Sequence, residues 1–135
     1  GFEVQPDAET GFTLFRPVAD AGASPGRSLA VRLAPNQDVC TALESLCRRH
    51  GLHRATVRGG VGSTVGAAFD DGRVVEPFVT EVLIQQGRVQ PAADGALRAE
   101  IDVSLVDYTG GLASGRLMRG ANPVLVTFEL VLQAD

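Results

Sequence analysis

The sequence predicts an α+β domain, a curved, mostly antiparallel sheet with one main helix packed on it. Three observations carry this. Only the stretch from Pro35 to Gly51 has the apolar spacing of a helix. Beyond Arg54 the apolar period falls to two, strand after strand. Hairpin signals separate those strands, at Asp71-Gly72, Asp94-Gly95 and Thr109-Gly110-Gly111. A chain of 135 residues, 44% hydrophobic and 21% charged, is a globular chain able to bury one core. No run of about 20 apolar residues is present to span a membrane as a helix.

Residues 1–27 read as an N-terminal arm, because Pro6, Pro17, Pro25 and several glycines prevent long elements. Phe12-Thr13-Leu14-Phe15 is apolar enough to pack as a short strand or extended segment, and Ala19–Gly26 reads as a loop. The chain starts Gly1-Phe2-Glu3 without Met, so a removed leader or an upstream domain stays open. Residues 28–135 form the domain proper. Ser28–Leu33 alternates Leu29, Val31 and Leu33 as a strand. Asn36 is the expected helix N-cap, with Asp38 in the first turn. Val39, Leu43, Leu46 and Cys47 form the helix's buried stripe; Arg48, Arg49 and His50 fill its last turn, and Gly51 stops it.

Strands are then expected at Arg54–Ser63, Val65–Asp70, Phe78–Val89 with a break near Gly87, Leu97–Asp107, Leu112–Arg119 and Asn122–Gln133. In the last, Val124, Val126, Phe128, Leu130 and Leu132 share one face, yet Leu125 and Val131 make the other apolar too. Such a strand is covered on both sides, and in a small domain a partner subunit can supply the second cover.

Net charge is −4 and every Lys or Arg position is arginine, so no global field draws nucleic acid. Arg48, Arg49, Arg54, Arg58 and Arg88 read as scattered, solvated surface. Cys40 and Cys47, seven residues apart on the helix, lie about 10 Å apart, too far for a disulfide. They read as core thiols of a reducing compartment, which points to the cytoplasm. His50 and His53 sit together at the helix exit, and neither a zinc site nor a Ser-His-Asp site assembles around them.

Gly59-Gly60-Val61-Gly62-Ser63 is the glycine-rich candidate. A phosphate loop needs a helix after its glycines, and Thr64–Phe69 is strand-like instead. A bent strand closely approached by a neighbouring backbone is one reading. A small ligand facing the bare backbone of Gly60, Gly62 and Ser63 is the other. The strand Leu97–Leu105 places Leu97, Ala99, Ile101, Val103 and Leu105 on one face and Arg98, Glu100, Asp102 and Ser104 on the other. Arg116 returns on the following strand, so Glu100, Asp102 and Arg116 make a salt-bridged cluster or a ligand site.

Several blocks together resemble a known family. Ser28–Val39 is similar to its strand-to-helix entry, Val57–Ser63 to its glycine segment, and Pro77–Leu83 to its phenylalanine-glutamate strand. Glu100–Asp107, Ser114–Leu117 and Thr127–Leu132 match the remaining blocks in order. The family is the plants-and-prokaryotes conserved (PPC) domain, which stands alone in bacteria and archaea and beside AT-hooks in plant nuclear proteins. The resemblance spans about residues 28–135. It implies a bacterial-type α/β sandwich-like domain that assembles as a homotrimer. Prokaryotic members are provisionally labelled DNA-binding.

Two departures qualify what it implies. The family often has His-x-His where this chain has Glu100-Ile101-Asp102, and Gly-Gly-His where it has Ser114-Gly115-Arg116. Some members hold zinc with those histidines; here an arginine can supply the positive charge in the metal's place. No Arg-Gly-Arg-Pro hook core is present either. The expectation is therefore a non-enzymatic homotrimer that is an assembly or interaction domain, with no cofactor, no zinc and no membrane contact. DNA would be reached only indirectly, through other regions or proteins. The alternative is a small-ligand-binding trimer with its pocket near Glu100, Asp102 and Arg116.

Overall fold

The computed structural model describes residues 27–135 with their side chains, and the backbone of two strands before them. In chain order the elements are β1 (Phe2–Pro6), β2 (Thr13–Pro17), β3 (Ser28–Leu33), α1 (Val39–Arg49), β4 (Ala55–Ala68), β5 (Val74–Pro91), β6 (Leu97–Val106), β7 (Leu112–Arg116) and β8 (Val124–Ala134). They form one sheet in the order β1-β2-β3-β8-β4-β5-β6-β7. Every neighbouring pair is antiparallel. This is the α+β arrangement the hairpin signals predict.

In the arm, β2 takes up most of the segment expected to be extended, and a short β1 pairs with it. Phe12 and the Ala19–Gly26 loop lie outside the described residues. The two strands expected at Arg54–Ser63 and Val65–Asp70 are one continuous β4, with a bulge between Val65 and Ala67. Gly66 makes that bulge at φ +65, where an added Cβ would lie 2.6 Å from the Val75 carbonyl oxygen. β5 runs unbroken through Gly87.

The sheet curls until its end meets its middle. Phe69 bridges Leu117, the Asp70 amide donates to the Arg116 carbonyl at 2.9 Å, and Arg73 Nη2 donates to the Ser114 carbonyl at 2.8 Å. The tip of the β4–β5 hairpin thus lies along β7 and covers an edge that would otherwise be open.

Helix α1 packs mainly against β6. Its cap is Asp38, two residues later than expected: Asp38 Oδ2 accepts the Thr41 amide at 2.9 Å. Asn36 instead takes a left-handed turn at φ 72 and gives its amide to the Val124 carbonyl at 2.8 Å. The anticipated stripe of Val39, Leu43, Leu46 and Cys47 is buried, but so are Cys40, Ala42 and Glu44. The core joins this helix to the inner face of the sheet: Leu29, Val31 and Leu33 of β3, Ile101 and Val103 of β6, and Phe128, Leu130 and Leu132 of β8. Burial pushes both thiols up to about 12, so neither is a thiolate near neutrality.

Val126 departs from the face assigned to it. It is 64% exposed, whereas Val124, Phe128, Leu130 and Leu132 are buried. Between Gly62↔Phe128 and Thr64↔Val124, β8 advances four residues while β4 advances two. The irregularity turns Val126 outward, which strict alternation does not anticipate.

Candidate functional site

The outer face of the sheet carries the candidate residues. Inner-facing Ile101 and Val103 turn Glu100 and Asp102 outward on β6. Register places Arg116 directly opposite Asp102. Arg116 Nε donates to Asp102 Oδ1 at 2.9 Å and Nη2 to Oδ2 at 3.3 Å, a forked pair. Arg116 Nη1 also lies 3.3 Å from Glu100 Oε2. On the other side Arg88, paired with Glu100 by register, stands 3.7 Å from the same oxygen. The structure therefore brings the three predicted residues together and adds Arg88, making two carboxylates against two guanidiniums. The hydrogen bond to Asp102 holds the Arg116 guanidinium above its ordinary pKa.

This arrangement does not fit a metal ion. A guanidinium has no lone pair to offer and occupies the position a cation would take between the two carboxylates. Among the described residues no group of three or more His, Cys, Asp or Glu is placed to hold a metal. The side chains of Arg116, Glu100 and Asp102 are 38%, 34% and 31% exposed, so water screens the cluster. We expect Arg116→Ala to cost about 1 kcal/mol, as for a surface pair, in place of the several kcal/mol of a buried one. Urea unfolding measures this; a loss above about 3 kcal/mol would show the cluster to be a buried structural core.

The glycine segment serves packing at two of its positions. An added Cβ at Gly62 would lie 2.5 Å from the Phe128 ring, and one at Gly60 would lie 2.8 Å from Ile84 and 2.9 Å from Leu130. Both glycines thus face the core, where their missing side chains make room for large neighbours. Ser63 Oγ accepts the Val126 amide at 3.2 Å and so stitches β4 to the irregular part of β8. Gly59, at φ +77 with open space around it, marks a register shift between β4 and β8.

Two features escaped the sequence reading. The first is a buried carboxylate. Glu44, fully buried on α1, accepts the Ala99 amide at 2.9 Å and Arg119 Nε at 2.8 Å. β7 pairs only with Asp102–Val106, so the N-terminal half of β6 has a bare edge that Glu44 helps to satisfy. The second is the reach of the apolar outer surface, expected on β8, across β4 to β7. Val61, Val79, Leu83, Val106, Leu112 and Val126 are each 42% to 81% exposed. By register Val61 pairs Leu83 across β4 and β5, while Val106 faces Leu112 across β6 and β7. Glu81, Leu83, Val106 and Leu112 line a groove of about 480 Å³ there. The visible signal was pairs such as Val82-Leu83 and Leu105-Val106, apolar at successive positions and therefore on both faces.

The sequence profile of the Plants and Prokaryotes Conserved (PCC) domain matches residues 21–134. The chain belongs to this family. A comparison with curated proteins found no match. Among solved structures, the PCC domain resembles a hypothetical protein from Salmonella enterica at 24% identity and TM-score 0.65, covering 84% of this chain and 80% of that one. It resembles a plant- and prokaryote-conserved (PPC) protein from Pyrococcus horikoshii at 21% identity and TM-score 0.61, with coverage of 85% and 84%. A protein from Ralstonia eutropha, provisionally described as DNA-binding, aligns at 16% identity and TM-score 0.63, covering 83% of this chain and 80% of that one. At these identities the likeness shows the fold. No helix of this PCC domain is long and apolar enough to cross a membrane among the described residues.

Proposed function

We propose that this PCC domain is a non-enzymatic assembly and interaction module that works as a homotrimer. The observation that carries the reading is the outer apolar face. Six large apolar side chains on adjacent strands stay exposed in the single chain, more than isolated surface hydrophobics explain. The second apolar side of β8, with Leu125 and Val131 partly covered and Val126 exposed, belongs to the same outer surface. Against an enzyme stand the neutralised carboxylates of Glu100 and Asp102 and the two inert thiols. A small ligand beside the cluster is the alternative, supported by its partial exposure.

DNA contact in this proposal is indirect. Arg32, Arg73, Arg88, Arg98, Arg116 and Arg119 already pair with carboxylates, which lowers the positive charge offered to phosphates. A cytoplasmic location accords with the two buried free thiols. Light scattering at micromolar concentration tests the assembly, with a particle of three times the 14.1 kDa chain mass expected. A monomer would overturn it. Sub-micromolar, salt-sensitive binding of duplex DNA by the same preparation would overturn the indirect role.

A further inference from the structure

Glu81 is an exposed carboxylate set among the apolar side chains of the outer face. On β5 it lies between Val79 and Leu83 on that face. Across the sheet it is flanked by Ser63 of β4 and Val106 of β6, with Leu112 of β7 beyond. Its carboxylate meets no cation or hydrogen-bond donor among the described residues. Covering this face with anything apolar would strand a charge at a cost of several kcal/mol. The covering surface must therefore bring a cation.

This chain carries a matching cation on the other half of the same face. Among the described residues, two outer arginines are bound to neutral amides alone: Arg54 to Gln90 at 3.2 Å and Arg58 to Gln133 at 2.7 Å. Of these, Arg58 lines a second groove, of about 320 Å³, which also includes Gly59, Gly60, Val61 and Val131. Val61 joins it to the apolar groove beside Glu81. Glu129 borders the groove too, but Arg32 neutralises it at 2.9 Å. One half of the face thus offers an apolar surface with an unpaired acid, and the other an open groove with an unneutralised base. Such halves match head to tail between copies, the pattern that closes a ring. We infer that Glu81 of one copy pairs with Arg58 of the next, across a heterologous contact between the β5–β7 half of one outer face and the β3–β8–β4 half of its neighbour. This rests on the self-assembly proposed above, and the occupant of the face is a second copy of this chain.

Charge reversal tests it. Glu81→Arg and Arg58→Glu are each expected to raise the concentration of half-dissociation, read by analytical ultracentrifugation, by about tenfold or more. The double reversal should return it to within about threefold of the parent, because every copy carries both halves. Circular dichroism confirms that each variant is folded. Should a reversal fail to fold, Glu81→Gln and Arg58→Gln provide the same cycle, with losses that do not add. Single variants that assemble like the parent, or a double variant no better than the singles, would overturn this contact and leave the trimer standing. A parent chain that is monomeric would overturn the trimer itself, and this pairing with it.

Discussion

Phe128→Ala is expected to destabilise the domain by about 4 kcal/mol, the upper part of the range for deleting a buried ring. Phe128 is wholly buried. By register it lies between Leu33 of β3 and Gly62 of β4, at the centre of the sheet's inner face. The glycine makes the site unusually tight. A Cβ at Gly62 would stand 2.5 Å from the ring and 2.6 Å from the Phe128 Cα, so the sheet cannot close over a larger residue without moving. Gly62→Ala should therefore cost about 2 to 3 kcal/mol by overpacking. In the Phe128→Ala background its cost should fall, because the ring is gone while the Cα remains. Urea unfolding of the four chains with unchanged m-values measures this coupling. A Gly62→Ala variant as stable as its parent would remove the packing account and return the glycine segment to the ligand reading.

The second large effect is expected at Arg119→Ala, at about 3 kcal/mol. Glu44 has no exposed surface, and Arg119 is the cation on it, with Nε 2.8 and 3.0 Å from its two oxygens. Removing one partner of such a pair leaves an uncompensated buried charge. Arg119 is itself 47% exposed, so water can enter where it stood, which keeps the effect at the lower end of the range for buried pairs. Glu44→Leu combined with Arg119→Met should cost less than Arg119→Ala alone, since no charge is left stranded. It should still cost something, because the Ala99 amide loses its acceptor. Thermal or urea unfolding at fixed protein concentration reads these differences. A loss below about 1 kcal/mol for Arg119→Ala would show that the pair does not hold the helix to the edge of β6.

The contrast between these two sites shows what was legible beforehand. Phe128 could be placed in the core from alternation alone, because a strand's period is local and each side chain's face follows from its neighbours. The pairing of Glu100, Asp102 and Arg116 was equally readable as a juxtaposition, since a short turn joins their two strands and fixes the register. Glu44 offered no such signal. In the sequence it is an ordinary helix glutamate, and its partners lie 55 and 75 residues away. The helix cap shows the same limit on a small scale. Asn36 and Asp38 are both good caps. Asp38 holds the position because it also accepts the amides of Gly120 and Asn122, more than eighty residues on.

By itself, then, the amino-acid sequence determined the α+β class, the main helix, the hairpin turns, the inner face of most strands and the family blocks. All of these rest on interactions between residues near one another along the chain. The tertiary structure alone decided the curl that lays the β4–β5 hairpin along β7, the outward turn of Val126, the burial of Glu44, and the placing of Glu81 and Arg58 on different halves of the outer face. Each of those depends on which strands become neighbours and in what register. A two-residue irregularity in β8, or a β7 that stops at Arg116 instead of Arg119, redirects side chains without leaving a mark in the local pattern.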